Sequence, residues 1–263
     1  MIFSSDLNVD LRGHGQSSIG HKNINQISGE NDQHTIFNCA QDIIETAKTL
    51  NLTGQNHSPI GIVGHSFGGR CALQYVHTLK NNSYLEYDNN NSILPPRCTW
   101  LLDTVPGKAH ASVSNVIQAL TNINMSSIKS KQELVKVLTL EQKVDKSIAN
   151  WMTTNLRKTE DGQFEFMFDL DIAKGVLEDF PKQDFMKLID YCTSVETSDD
   201  EKVYLVMAGK NNAWTDGIVN DLELLAQHRE LELVSLPKAG HWVHVDDLDG
   251  LMSAMEECFV AMK

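Results

Sequence analysis

The feature that most constrains the fold is a ten-residue segment, residues 60–69, which reads Ile-Gly-Ile-Val-Gly-His-Ser-Phe-Gly-Gly. Its first half is rich in Ile and Val, as in a buried β-strand, and residues 70–79 have the apolar spacing of a helix. Ser66 therefore lies where a strand turns directly into a helix. We expect Ser66 to adopt a strained conformation there, and Gly64 and Gly68 to relieve collisions with neighbouring backbone.

Short apolar runs alternate with helical segments along the whole chain. This pattern predicts an α/β fold with a mostly parallel sheet and flanking helices. Strands are predicted at residues 7–10, 60–63, 99–103, 203–207 and 231–236. Core-facing helices are predicted at residues 36–50, 70–79, 218–227 and 248–259.

Two segments interrupt this alternation. The first, residues 81–96, is rich in Asn and ends in two prolines, which predicts a surface loop. The second, residues 107–198, contains several amphipathic stretches and an alternating run of Phe164, Phe166 and Phe168. It predicts a mostly helical cap inserted into the fold, so that residues 1–106 and 199–263 form the core and residues 107–198 the cap.

Composition excludes several classes of partner. The 263 residues are 41% hydrophobic and 22% charged, as in soluble globular proteins, and no apolar run approaches the roughly 20 residues of a membrane span. A net charge of -13 argues against nucleic acid, which requires a basic surface. The five cysteines are scattered without a CxxC pair, and no secretory signal precedes them, which favours a reduced compartment.

Ser66 is the candidate nucleophile, with an ordinary glycine-rich turn as the alternative. A serine hydroxyl needs a general base near neutral pH. In a sheet of this kind the base is expected on the loop after the last strand, where His241 lies. The backbone N–H of Phe67, at the start of the helix, is the candidate oxyanion donor.

His241 could instead be structural or, together with His244, a metal ligand. The HxxH spacing lacks the glutamate and the four-residue interval of HExxH. We therefore expect no metal site.

The acid that would orient His241 has three candidates. Asn212 occupies the usual position after the penultimate strand, and an amide cannot stabilise an imidazolium as a carboxylate does. Asp103 follows the third predicted strand, whose carboxyl end lies beside the nucleophile strand, and it is preferred. Asp216 and Asp171 remain open as alternatives.

Four stretches of the chain resemble the α/β-hydrolase superfamily, and more narrowly the abhydrolase-domain protein 11 group and its bacterial esterase relatives. They are VDLRGHGQS, IVGHSFGG, LLDTVP and AGHWVHVD. The resemblance implies a cofactor-free serine hydrolase, a serine esterase or thioesterase, that takes a small-molecule acyl ester or thioester. It also implies that Asp103 is the acid and that the protein is intracellular, cytoplasmic or mitochondrial. We expect His65, Trp242 and Trp151 to contribute to a substrate pocket.

The resemblance departs from the family pattern at the front of the chain. Relatives carry an HG motif about thirty residues before the VDxR stretch, and the following loop supplies a second oxyanion donor. Here only nine residues precede Asp10. We therefore expect the chain to be truncated at its N-terminus relative to the family. The alternative function is a catalytically impaired hydrolase-like protein that acts as a binding module.

Overall fold

The computed structural model describes residues 6–18, 34–83, 92–107, 111–194 and 201–261. The strands in these residues are β1 (Gly61–His65), β2 (Cys98–Leu102), β3 (Leu156–Lys158), β4 (Phe164–Phe166), β5 (Lys202–Ala208) and β6 (Leu231–Leu236). The α-helices in the same residues are α1 (Ile36–Thr49), α2 (Phe67–Ser83), α3 (Ala111–Thr121), α4 (Lys131–Lys136), α5 (Lys146–Met152), α6 (Leu170–Asp179), α7 (Phe185–Cys192), α8 (Asp216–Ala226), α9 (Val243–Asp246) and α10 (Leu248–Ala261). Short 3-10 turns at Gly15–Ser18, Met125–Ser127, Thr153–Asn155 and Phe180–Lys182, and a π-helical turn at Val137–Glu141, complete the list.

Four strands form one parallel sheet in the order β1–β2–β5–β6. The register pairs Val63 with Trp100, and Trp100 in turn with Tyr204. The prediction of an α/β class with a mostly parallel sheet and flanking helices is therefore confirmed. In a parallel sheet all carboxyl ends lie at one edge, which brings the loops that follow β1, β2, β5 and β6 together.

Helices cover both faces of this sheet, so β2 is buried along its whole length. Leu101 points into a core built with α1, α2, α7 and α8, while Trp100 belongs to a second core formed with α10 and the loop after β6. Because both faces are covered, β2 and β5 read as continuous apolar runs. That is why their positions could be predicted from the sequence.

The predicted strand at residues 7–10 is wrong. Asp10 closes a local turn instead: its Oδ2 accepts a hydrogen bond from the Gln16 N–H at 2.9 Å, and its carbonyl oxygen accepts one from the Ser17 hydroxyl at 2.9 Å. Such side-chain bonds to nearby backbone compete with strand pairing. Leu7 and Val9 remain exposed, so no packing favours a strand there.

The described residues divide into two compact units. The first is drawn from Met1–Leu7, Ile36–Gly107 and Gln183–Lys263, and it contains the parallel sheet. The second is drawn from Asn8–Thr35 and Lys108–Lys182. The predicted functional division into core and cap stays a prediction.

The second unit has its own core around Leu134, Leu138 and Ala149. Within it, β3 and β4 pair antiparallel, and the Gly15 N–H donates to the Met167 carbonyl at 2.7 Å. The VDLRGHG stretch thus packs on the β3–β4 hairpin segment. Part of the Asn-rich loop prediction, residues 84–91, lies outside the described residues. No helix in the described ranges is both long and apolar enough to cross a membrane.

Candidate active site

Ser66 sits at the turn between β1 and α2. Its backbone φ is +53°, a left-handed conformation that is unfavourable for a residue with a side chain. The Ser66 N–H donates to the Leu102 carbonyl at 2.8 Å, and the Ser66 carbonyl accepts from the Gly69 N–H at 3.1 Å. These bonds fix the turn to β2 on one side and to the first turn of α2 on the other, so the strained serine is held in place.

The glycines of the turn differ in what they permit. A Cβ on Gly64 would overlap the backbone carbonyl of Gly68, so only glycine fits there. A Cβ on Gly69 would overlap the Thr104 hydroxyl, whereas a Cβ on Gly68 would meet no atom within 4 Å. The expected collision is therefore confirmed at Gly64, and the same expectation is wrong for Gly68.

His241 lies on the loop between β6 and α9, and its ring is bonded to Asp103. The Nδ1 of His241 is 2.7 Å from Oδ2 of Asp103. An ionised carboxylate only accepts hydrogen bonds, so Nδ1 carries the proton and donates it. This leaves Nε2 of His241, whose side chain is 42% exposed, as the ring nitrogen that can accept a proton.

Asp103 follows β2 and is 1% exposed. Besides His241, three donors meet its carboxylate: Trp214 Nε1 at 2.6 Å, Asn211 Nδ2 at 2.6 Å and the Ala208 N–H at 3.1 Å. Burial by itself would raise the pKa of Asp103, but these hydrogen bonds outweigh it and hold the pKa below its ordinary value. The carboxylate is therefore ionised at neutral pH.

Asn211 and Trp214 were missed by the sequence analysis, which looked only for a carboxylate after β5. The signal was present in the same loop. Asn211-Asn212-Ala213-Trp214 has hydrogen-bond donors and no acid, which suits a loop that receives an acid from a neighbouring strand.

The other acid candidates lie elsewhere. Asp216 is the first residue of α8 and is exposed. The side chain of Asp171 is 93% exposed in the first turn of α6, in the second unit. Asn212 is exposed, one residue beyond the amide that reaches Asp103.

His65 and Trp242, both predicted for a substrate pocket, lie beside His241. The ring centroid of His65 is 4.7 Å from that of His241 and 5.4 Å from that of Trp242. His244 completes the group, 5.2 Å from His65. Trp151 lies in α5 of the second unit and is 44% exposed. Its part in a pocket, like that of His65 and Trp242, stays a prediction.

Three further observations concern the site. Among the described residues, no hydrogen bond joins the Ser66 hydroxyl to His241. Phe67 is the first residue of α2, so its N–H lies at the positive end of a 17-residue helix dipole. Within residues 6–18, 34–83, 92–107, 111–194 and 201–261, no group of three or more His, Cys, Asp or Glu side chains is arranged to hold a metal ion.

Comparisons with known proteins agree with this architecture. The model of a family described as "Alpha/beta hydrolase family" matches residues 5–254. Among solved structures, the chain is similar to a marine microorganism esterase, with a TM-score of 0.62 and 18% identity over 87% of this chain and 78% of that one. It is also similar to an E-2-(acetamidomethylene)succinate hydrolase, with a TM-score of 0.62 and 15% identity over 96% of this chain and 80% of that one.

A third similar structure is an enol-lactonase from Burkholderia xenovorans LB400, with a TM-score of 0.54 and 15% identity over 95% of this chain and 79% of that one. At these identities the likeness concerns the fold. No significant sequence match is found among curated proteins.

Proposed function

The chain belongs to the alpha/beta hydrolase family, and on that premise we propose that it is a serine hydrolase that cleaves carboxylic esters or thioesters. The observation that carries the proposal is the 2.7 Å bond between His241 Nδ1 and Asp103 Oδ2, in the same compact unit as Ser66 at its strained turn. A buried ionised acid, an imidazole and a serine at a strand-to-helix turn are the parts that nucleophilic acyl transfer needs.

In the proposed reaction, the Ser66 hydroxyl attacks the acyl carbon while His241 Nε2 accepts its proton. Asp103 holds the ring in the tautomer that leaves Nε2 free to accept, and it stabilises the imidazolium that forms. His241 then returns the proton to the departing alcohol or thiol, which leaves an acyl group on Ser66. Water attacks this acyl-enzyme while His241 Nε2 takes a proton from it. The carboxylic acid is released as the bond to Ser66 breaks and His241 returns that proton to the Ser66 oxygen.

The oxyanion that forms during both steps needs a donor. The Phe67 N–H supports this part of the proposal, because it follows the nucleophile directly and lies at the N-terminus of α2. The helix dipole favours negative charge at that position.

A second candidate function is a non-catalytic, hydrolase-like binding protein. The observation that favours it is that, among the described residues, no hydrogen bond joins the Ser66 hydroxyl to His241. Catalytic hydrogen bonds are often long or poorly aligned without substrate and tighten when it binds. The missing bond is thus compatible with a hydrolase, and the bond between Asp103 and His241 favours the hydrolase over the binding protein.

The proposal is tested by hydrolysis of p-nitrophenyl butyrate and of a butyryl thioester. We expect wild-type protein to cleave at least one of them, and Ser66→Ala to cleave neither. Asp103→Asn should lower kcat by about 10⁴-fold because the histidine loses its orienting carboxylate, while the matched variant Asp216→Asn keeps wild-type activity. An Asp103→Asn variant of full activity beside an inactive Asp216→Asn would reverse the choice of acid.

A further inference from the structure

We infer that His65 is a positioning residue that holds the backbone of His241 through a hydrogen bond to its carbonyl oxygen. This inference rests on the proposed function, in which His241 is the general base. It assigns His65 a role distinct from contact with substrate, because it acts through another residue.

The hydrogen bond is short and its direction is defined. His65 Nε2 lies 2.6 Å from the carbonyl oxygen of His241. A carbonyl oxygen only accepts, so Nε2 carries the proton and donates it. His65 is the last residue of β1 and directly precedes Ser66. The strand that presents the nucleophile therefore also holds the loop that presents the base.

His241 benefits from this second attachment, because its side chain is 42% exposed and, within the described residues, its ring makes one hydrogen bond, to Asp103. The bond from Nδ1 to Asp103 fixes one atom of the ring. A single bond lets the ring pivot about that point and swing Nε2 away from Ser66. A bond at the His241 carbonyl restrains the backbone as well, so that both ends of the residue are tied to the carboxyl ends of neighbouring strands.

His65 is itself well held. Its ring packs against His241, Trp242 and His244 at centroid distances of 4.7, 5.4 and 5.2 Å. These ring contacts, together with the hydrogen bond to the His241 carbonyl, keep the His65 side chain directed at the loop after β6.

The charge of His65 also suits this role. Burial is the main cause that lowers the pKa of His65, and the neighbouring His241 and His244 rings lower it further. The bond to the His241 carbonyl and the Asp103 charge act in the opposite direction, but the net effect is a lowered pKa. His65 is therefore neutral at neutral pH. A neutral donor holds the carbonyl without placing a second positive charge beside His241 when that ring becomes an imidazolium.

The test compares two substitutions at His65 with a matched control. His65→Gln keeps an N–H donor of similar reach, and His65→Leu fills the space without a donor. His228→Leu makes the same substitution at an exposed histidine just after α8 that has no part in the candidate site. For p-nitrophenyl butyrate we expect His65→Leu to lower kcat by about 10- to 100-fold with little change in KM, because the base is misplaced. His65→Gln and His228→Leu should stay close to wild type.

A merely structural role or a substrate contact would give other results. Loss confined to KM, or equal losses in His65→Gln and His65→Leu, would overturn the inference. The imidazole nitrogens are also followed by NMR: we expect the Nε2–H tautomer of His65 in wild-type protein, and a His241 Nδ1–H resonance that is retained in His65→Gln and broadened in His65→Leu.

The NMR measurement tests the role of His65 independently of whether the protein is a hydrolase. If wild-type protein cleaves no ester or thioester, the proposed function fails, while the His241 resonance still decides whether His65 holds that loop. If His65→Leu does not fold, the wild-type tautomer decides: a His65 protonated on Nδ1 and bare on Nε2 would overturn the inference.

Discussion

Asp103 combines two features that are each unfavourable in isolation. Its carboxylate is almost fully buried, and its backbone φ is +47°. A buried charge is tolerated when hydrogen bonds satisfy it, and strained backbone persists only where the surroundings determine it. Donors from His241, Trp214, Asn211 and Ala208 satisfy the charge. The backbone is held by the Asp103 N–H, which donates to the Val206 carbonyl at 2.8 Å.

Asn211 provides a direct test of these contacts. Asn211→Ala removes the 2.6 Å bond to Asp103 Oδ2 and the bond from the Ala213 N–H to Asn211 Oδ1. A hydrogen bond to a charged group contributes about 1.5–3 kcal/mol to stability. We therefore expect urea unfolding to show that Asn211→Ala lowers the free energy of unfolding by about this amount. The pKa of Asp103 should also rise.

Asn212→Ala is the matched control for that variant. The same substitution one residue along, at an exposed side chain, should change stability by less than about 0.5 kcal/mol. Equal losses in the two variants would mean that the amide bond to Asp103 contributes nothing specific.

Individual residues of the candidate site were predictable from the sequence to different degrees. Ser66 and His241 were identified because a strand-turn-helix pattern and the loop after the last strand are local features. Asn211 and Trp214 were missed because their bonds to Asp103 span 108 and 111 residues. No local pattern marks a donor whose acceptor lies on another strand.

At the scale of elements, α2 depends on close packing at its start. Arg70, 2% exposed, donates from Nη2 to the carbonyls of Val105 at 2.9 Å and Gly107 at 2.5 Å. Burial lowers the pKa of Arg70 to about 10, so the guanidinium remains charged at neutral pH. Its position ties the helix that follows Ser66 to the loop that follows Asp103.

Two glycines beside the Ser66 turn should respond in opposite ways to substitution by alanine. Gly64→Ala would force a Cβ into the Gly68 carbonyl, and we expect a loss of about 1–3 kcal/mol from overpacking. Gly68→Ala meets open space within a helix, where Ala is favoured over Gly by about 0.5–1 kcal/mol. Thermal unfolding of the two variants checks this. A Gly68→Ala protein as unstable as Gly64→Ala would contradict the packing described for this turn.

The strands illustrate why some elements could be predicted and one could not. β2 and β5 were predicted because strands covered on both faces read as apolar runs. Residues 7–10 alternate between apolar and polar side chains, but Asp10 engages Gln16 and Ser17 instead. The competing turn depends on side-chain bonds that hydrophobic periodicity does not report. Helix α7 was missed within the segment interpreted as a cap.

For the whole molecule, family membership agrees with the resemblance to the α/β-hydrolase superfamily, which is confirmed. The narrower likeness to the abhydrolase-domain protein 11 group stays a prediction. The two compact units have separate cores, and the residues of the proposed triad all lie in the unit with the parallel sheet.

The stability of the whole molecule should fall in acid. Folding lowers the pKa of both His65 and Asp103, so the folded chain binds fewer protons than the unfolded chain. The free energy of unfolding therefore decreases as the pH falls below about 6.5 for His65, and below about 3.9 for Asp103. For each group, the free energy of unfolding continues to decrease until the pH is below the pKa of that group in the folded chain.

His65→Gln tests the part of this pH dependence that comes from His65, because glutamine does not titrate. Between about pH 7.5 and pH 5, urea unfolding should show a smaller loss of stability for His65→Gln than for wild type. Identical pH dependence of the two proteins would contradict a lowered His65 pKa.

Reaction with a fluorophosphonate probe shows directly whether Ser66 is an activated nucleophile, as we propose. The folded chain is treated with the probe, digested and mapped by mass spectrometry. We predict one adduct on the peptide that contains Ser66, absent from Ser66→Ala and formed more slowly in Asp103→Asn. A folded wild-type protein without an adduct on Ser66, or a Ser66→Ala variant labelled as fast as wild type, would contradict the claim.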